Sequence, residues 1–129
     1  MRSDAWTVFA AVVLPYVPYL LVAAEKNRRR IYDPDNPRAS DEALEGWSLR
    51  AKGAELNSWE ALAAYLGVTF IAHEAGADDR LLATLGWAWV AARLAYCVAY
   101  VAGFGRFRIL FWFVSVGLIL ARFGVAVRA

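Results

Sequence analysis

The sequence alternates between long apolar blocks and shorter polar connections. Residues 5–24 carry no charge across about 20 positions, the length needed to cross a hydrocarbon core. Residues 81–102 and 109–127 form two further blocks, and residues 50–73 form one that begins with charged residues. This pattern predicts an all-α integral membrane protein in which four transmembrane helices form one bundle, a single domain over residues 1–129.

Two prolines, Pro15 and Pro18, interrupt the first apolar block. Each removes a helix donor and predicts a kink, which is either tolerated by lipid or forms a cavity wall. A secretory signal peptide is the rival interpretation of this block. The block is too long for that, contains the prolines, and is followed by Arg28-Arg29-Arg30, as a stop-transfer segment would be.

The first polar connection, residues 25–49, contains Pro34 and Pro37 in what read as consecutive turns. We expect Ser40 or Asp41 to cap the next helix. A helix from about residue 41 to about residue 73 would be roughly 50 Å long. The bilayer core is about 30 Å thick, so the first turns of this helix should stand in the headgroup region.

A polar stripe leads into the second span. Arg50 and Asn57 share one helical face, and Glu60 lies one turn beyond Asn57. In the third span, Arg93 shares a face with Tyr96 and Tyr100. Such groups normally face a protein interior or a wet cavity, and a buried arginine needs an anionic partner. We therefore predict an Arg93–Glu60 pair, which either locks the helices together or belongs to a binding site.

Composition and charge agree with a membrane protein. The chain is 60% hydrophobic and 20% charged, against about 45–50% and about 25% in soluble domains. The net charge of +2 is too small to favour a nucleic-acid partner. Cys97 and His73 are the only cysteine and histidine, which excludes an intrachain disulfide and disfavours a metal site or a Cys–His nucleophile.

Three single residues carry simpler expectations. Cys97 should pack in the bundle, and His73 should be an interfacial residue at the end of the second span. Arg122, near the end of the fourth span, should snorkel toward the surface.

The distribution of lysine and arginine predicts the topology. The second connection has only Arg80 beside three acidic residues, whereas the first and third connections are basic. The first and third connections should therefore be cytoplasmic, with both termini outside. The basic residues that define them are Lys26, Arg28, Arg29, Arg30, Arg38, Arg106 and Arg108.

The cations that gather at the cytoplasmic side suit a small anionic or zwitterionic ligand. Arginine binds carboxylates in a bidentate manner, Asn57 offers donors and an acceptor, and Glu60 can hold an ammonium group. Apolar surfaces nearby suit a lipophilic second substrate, and phospholipid headgroups are the alternative ligand. The gathered cations are Arg50, Arg93, Arg106 and Arg108, with Lys26 and Arg28 nearby.

These residues bring the chain close to a known family. The chain resembles the MAPEG family, the membrane-associated proteins of eicosanoid and glutathione metabolism, over nearly its whole length, and most of all the bacterial branch. The element Arg50…Asn57-x-x-Glu60 is its most specific part. The other segments are Leu14-Pro15-Tyr16, Tyr32-Asp33, Asn36-Pro37-Arg38, Gly46-Trp47, Arg93-Leu94-Ala95-Tyr96, Ala99-Tyr100 and residues 108–113.

The resemblance implies a homotrimer in a bacterial inner membrane. It implies glutathione as co-substrate, without a metal, bound between protomers near the cytoplasmic face. Arg108 would lie close to the glutathione thiol and stabilise its thiolate. The residues implied to bind glutathione or support its framework are Arg50, Asn57, Glu60, Arg93 and Tyr100, and Tyr96, Arg106 and Arg28 complete the predicted site.

The chain departs from the glutathione-active members at two places. They carry further basic residues in the second-span motif, where this chain has Gly53, Glu55 and Leu56. The prostaglandin E synthase type has hydroxyl side chains where this chain has Ile109 and Trp112. The leading hypothesis is a glutathione-dependent transferase or peroxidase that acts on a lipophilic electrophile. The alternative, favoured by the second departure, is a non-catalytic trimer that binds lipid or a small anion.

Overall fold

The computed structural model describes residues 3–129. Three of the four helical spans are long and apolar enough to cross a membrane, which confirms an all-α membrane fold; the span that falls short is the one with the polar stripe. The helices are α1 (Asp4–Val13), α2 (Tyr16–Arg28), α3 (Gly46–Glu74), α4 (Asp79–Ala102) and α5 (Gly105–Val127), and a short 3₁₀ helix (Ala39–Ala43) precedes α3.

The predicted interruption of the first span is confirmed at Pro15, between α1 and α2. Pro18 lies in the first turn of α2, where a missing N–H is tolerated. Both rings are fully buried within the protomer. The bend therefore shapes the packing inside the bundle instead of facing lipid.

The prediction that the helix containing the second span begins near residue 41 is wrong. Asp41 forms an ion pair with Lys26, and the Ser40 hydroxyl donates to the Pro37 carbonyl at 2.9 Å, so neither caps a long helix. The chain is extended at Leu44, and α3 begins at Gly46. The 29 residues of α3 span about 44 Å, still longer than the bilayer core.

The core is centred on two aromatic rings. Tyr65 of α3 and Trp89 of α4 stack with their centroids 4.3 Å apart, and both are almost fully buried. Cys97 is also buried, with its sulfur 3.5 Å from the Ser58 hydroxyl, so the expected packing role is confirmed. Gly86 lets Thr7 of α1 and the Tyr65 hydroxyl approach α4, since a β-carbon there would overlap both.

The prediction that Arg122 snorkels to the surface is wrong, because its side chain is fully buried. Its Nη2 donates to Asp4 Oδ2 and to Thr69 Oγ1, each at 2.8 Å, and its Nη1 donates to the Leu82 carbonyl. His73, at the end of α3, lies with Nε2 3.0 Å from Asp4 Oδ2. This Asp4–Arg122 clamp (Asp4, Thr69, His73, Arg122) joins the first, second and fourth spans at one end of the bundle, and the Leu82 carbonyl ties the third span to it.

The other end of the bundle holds the first and third connections. Arg50, near the start of α3, donates from Nε to the Val101 carbonyl near the end of α4 at 3.0 Å. Within the first connection, the backbone N–H of Asp35 donates to Asp33 Oδ1 at 2.9 Å, and this bond holds the pKa of Asp33 below its usual value. The predicted site residues of α3, α4 and α5 are thus brought toward the end opposite the clamp.

Candidate functional site

Arg50 and Asn57 of the polar stripe contact α4, but the predicted direct Arg93–Glu60 pair is wrong. Arg93 Nη2 donates to Asn57 Oδ1 at 2.9 Å, and Asn57 Nδ2 donates to Glu60 Oε2 at 3.3 Å. Arg93 is only 1% exposed, and its guanidinium lies 4.1 Å from the centre of the Tyr96 ring. Glu60 lies on the exposed side of α3. The amide of Asn57 therefore bridges a buried cation and an exposed carboxylate.

Two tyrosines of α4 connect this bridge to α5. Tyr96 is buried and meets Tyr100 edge to face, with centroids 5.7 Å apart. The Arg108 guanidinium lies over the Tyr100 ring, 4.7 Å from its centre. A cation on each side of an aromatic pair is a favourable arrangement. The guanidinium groups of Arg93 and Arg108 thus lie at opposite ends of one aromatic pair.

A cavity of about 190 Å³ opens beside Arg108. It is lined by Asn57 and Tyr96 on one side and by Ile109 and Trp112 on the other. The two positions that lack hydroxyl groups therefore lie at the predicted reaction centre. This volume is below the about 300–1,000 Å³ of typical ligand pockets, so this cavity by itself is too small for a tripeptide.

Arg50 has a structural contact as well as a predicted binding role. Besides its bond to Val101, its guanidinium packs against Gly103, which has a left-handed backbone (φ 84°). Arg50 also lines a second cavity of about 240 Å³ together with Tyr100 and Arg108. It can therefore hold the α4–α5 connection in place and still present polar atoms to a ligand.

The departures in the second-span motif have a physical explanation. A β-carbon at Gly53 would overlap the Tyr100 hydroxyl, so Tyr100 fills the space beside that position. Glu55 and Leu56 face a different groove, between α2, the first connection and α3, where Lys52 Nζ lies 3.0 Å from Glu55 Oε2.

Three of the predicted cations do not reach the cavities beside Arg108 in this chain. Arg28 forms a bidentate pair with Glu25 on α2, with both distances 2.8 Å. Lys26 is held by Asp41 and the Pro37 carbonyl. Arg106 is exposed and forms no ion pair with any residue from 3 to 129.

Sequence reasoning missed Trp89. Its indole N–H is buried and has no hydrogen-bond partner among the described residues, and the residue lines a cavity together with Arg93 and Glu60. A tryptophan in an apolar helix gives no sign of this in sequence. In the described part of the chain, no group of three or more His, Cys, Asp or Glu side chains is placed to hold a metal ion.

Comparison of the sequence with known protein families agrees with the membrane-spanning helical fold. The model of the MAPEG family matches residues 4–128. A comparison with curated proteins found no match. Family membership supports a membrane role in glutathione or lipid metabolism in general. Since the match covers nearly the whole chain, this integral membrane protein belongs to the MAPEG family.

Proposed function

We propose that the protein is a glutathione-dependent transferase or peroxidase that acts on a lipophilic electrophile in the membrane. One observation carries the proposal: Arg108 lines the same cavity as Asn57 and Tyr96, and Asn57 connects that cavity to Arg93 and Glu60. Arg108, which can stabilise a thiolate, thus lies beside a set of groups that can bind the charged ends of a peptide, namely Arg93 and Glu60.

The residues fit the chemistry of glutathione, which carries two carboxylates, one ammonium group and a thiol. Arg50 and Arg93 are suited to the carboxylates, and Glu60 to the ammonium group. Asn57 fixes the relative positions of Arg93 and Glu60. Tyr100 orients Arg108 through their stacked contact. Each group of the tripeptide thus has a complementary partner on α3, α4 or α5.

The thiol must lose its proton to react. A thiol with a pKa near 8.5 must be lowered by about two units to be mostly ionised at pH 7, which corresponds to roughly 2.7 kcal/mol. Arg108 can supply this as a close positive charge in a partly apolar cavity, where charge interactions are stronger than in water. Arg106 adds positive potential from the exposed side of the same helix end.

A homotrimer would complete the site. The small cavity beside Arg108 and the exposed carboxylate of Glu60 both call for a further surface in the membrane. A rotationally closed trimer places one face of each protomer against a different face of the next. A binding role for Arg28 or Lys26 would then concern the site of a neighbour, because within one chain they pair with Glu25 and Asp41. We place the trimer in a bacterial inner membrane, with both termini outside the cytoplasm.

The test is glutathione binding and turnover by the detergent-solubilised protein. We expect calorimetric binding of glutathione and conjugation of chlorodinitrobenzene or reduction of a lipid hydroperoxide. Arg108→Ala should lower kcat by about a hundredfold while the oligomer persists. Arg128→Ala, which removes an exposed arginine at the far end of α5, is the matched control and should leave turnover unchanged. Absence of both binding and turnover in the wild type would overturn the proposal.

A non-catalytic trimer that binds lipid or a small anion is the second candidate. Ile109 and Trp112 favour it, because they give the Arg108 cavity no hydroxyl from α5. The nearby Ser115 hydroxyl donates to the Phe111 carbonyl of its own helix at 2.7 Å. This candidate expects Glu60→Gln or Arg93→Ala to disrupt assembly with no thiol chemistry to lose. Stable trimers in both variants would count against it.

A further inference from the structure

A larger cavity, of about 640 Å³, lies in the groove between α2, the first connection and α3. It shares no lining residue with either cavity beside Arg108. Its volume falls within the about 300–1,000 Å³ of typical ligand pockets, so this α2–α3 groove has room for a ligand of its own. Its charged half is lined by Lys26, Arg38, Asp41, Lys52 and Glu55, and its apolar half by Tyr19, Val22, Ala23, Leu56 and Trp59.

The two halves of the groove lie at different depths along the helices. On α3, Lys52 lies nearer the first connection than Trp59 does, by roughly 10 Å along the helix axis. On α2, Lys26 likewise lies nearer that connection than Tyr19 does. Charged groups therefore stand at the headgroup level above an apolar wall with aromatic rings, which is the order of the parts of a phospholipid.

Two lysines and two carboxylates form one ion-pair network in the charged half. Lys26 pairs with Asp41. Lys52 Nζ lies 3.5 Å from the other oxygen of Asp41 and 3.0 Å from Glu55 Oε2. Lys26 and Glu55 are each only 6% exposed. The network is balanced in charge and holds these groups in the walls of the groove.

One cation and one carboxylate oxygen of the groove are left over from this network. The Arg38 side chain is exposed and forms no ion pair with any residue from 3 to 129. Glu55 bonds to Lys52 through Oε2 only, and its Oε1 is not among the enclosed atoms without a partner. A ligand in the groove can therefore reach a guanidinium group and an ionised acceptor.

We propose that the α2–α3 groove binds one phospholipid with a phosphoethanolamine headgroup, from the leaflet on the side of the first connection. Arg38 binds the phosphate, and the ammonium group donates to Glu55 Oε1. An acyl chain lies along Leu56 and Trp59, whose ring meets Tyr16 edge to face with centroids 5.2 Å apart. This resident lipid takes no part in the reaction proposed at Arg108.

The experiment measures which lipid stays bound to the full-length protein in detergent. The protein is mixed with equal amounts of phosphatidylethanolamine and phosphatidylcholine that carry the same acyl chains, and the retained lipids are quantified by native mass spectrometry. The two lipids have the same net charge, but the choline group has no N–H to donate. We expect phosphatidylethanolamine to be retained at least about fivefold more than phosphatidylcholine.

Two variants separate the two charged groups of the lipid. Glu55→Gln should reduce the preference to about twofold or less, because a charge-assisted hydrogen bond is roughly twice as strong as a neutral one. Arg38→Ala removes the partner of the phosphate, which both lipids carry, so it should lower the retention of both and leave the preference unchanged. Glu42→Gln is the matched control, since this exposed carboxylate of the first connection does not line the groove, and it should change neither quantity.

The possible results separate this inference from the proposed function. Equal retention of the two lipids by the wild type, or an unchanged preference in Glu55→Gln, would mean annular lipid only and would overturn the inference. Weaker glutathione binding by Arg38→Ala, with lipid retention unchanged, would assign the groove to the glutathione site of a neighbouring protomer and would also overturn it. Neither readout requires turnover at Arg108, and a preference measured within one variant is not altered by partial loss of folded protein.

Discussion

The hydroxyl of Tyr100 lies where a β-carbon at position 53 would stand. Tyr100 in turn supports Arg108, whose guanidinium lies over its ring. The absence of a side chain at Gly53 is therefore part of how the site is built, because it lets Tyr100 reach α3. In the sequence, Gly53 stands where glutathione-active members have a basic residue. In the structure, the lack of a side chain at Gly53 is required for the packing of Tyr100.

This contact predicts the effect of Gly53→Ala. The new methyl group should displace Tyr100 and Arg108, at a cost of about 1–3 kcal/mol for overpacking, partly offset by about 1 kcal/mol of helix propensity. We expect glutathione affinity to fall about fivefold, measured by titration calorimetry. Gly67→Ala on the same helix meets nothing within 4 Å and should not weaken binding. In a Tyr100→Ala background the penalty should vanish, and a penalty that persists there would exclude this explanation.

Single residues also mark the limits of sequence reasoning. Helical spacing placed Arg50, Asn57 and Glu60 on one stripe, but the partner it predicted for Arg93, Glu60, is wrong. It could not tell whether Arg93 reaches Asn57 or Glu60, because that depends on the helix crossing and on the Tyr96 ring beneath the guanidinium. The unpaired indole of Trp89 is likewise a property of three-dimensional packing.

At the scale of elements, the Asp4–Arg122 clamp ties the first residues of α1 to the last turns of α5. Sequence reasoning treated Arg122 as a surface residue, because its carboxylate partner lies 118 positions away in the chain. The start of α3 was misplaced for a related reason, since the Asp41 side chain pairs with Lys26 of α2. Apolar length predicted that the helices exist. The contacts at their ends were not predictable, because they are ion pairs between residues far apart in the sequence.

The clamp predicts a large effect of Arg122→Leu. That substitution leaves Asp4 buried without its cation, and breaking a buried ion pair costs about 3–5 kcal/mol. We expect a strong loss of stability in denaturation by increasing detergent, followed by circular dichroism. Adding Asp4→Leu should recover much of the loss, because the uncompensated charge is then removed. Arg128→Leu is the control and should have little effect. Equal stability of wild type and Arg122→Leu would contradict the clamp.

At the scale of the whole molecule, the sequence predicted four spans, and it predicted that the first and third connections lie at the same end of the bundle. The lengths of the helical segments indicate the number of spans. Because successive spans run in opposite directions, alternate connections must lie at the same end. How the protomer completes its site is not determined by these signals. The α3 span carries Glu60 on an exposed face, and Asn57 and Trp112 line both the cavity beside Arg108 and the cavity that Glu60 lines. A carboxylate there needs a covering surface within the membrane.

We therefore expect assembly to depend on Glu60. In detergent, analytical ultracentrifugation should give a protein mass near three times the 14.3 kDa of one chain. Glu60→Ala removes a charge that a neighbouring protomer would shield from lipid in the proposed trimer, and with it the polar contacts that the neighbour would make. The variant should dissociate at lower detergent concentration and bind glutathione more weakly. Glu42→Ala, which removes an exposed carboxylate from the first connection, should do neither. A wild type that sediments as a monomer, or a Glu60→Ala trimer as stable as the wild type, would show that the exposed face of α3 is covered by lipid or water instead of by a second copy.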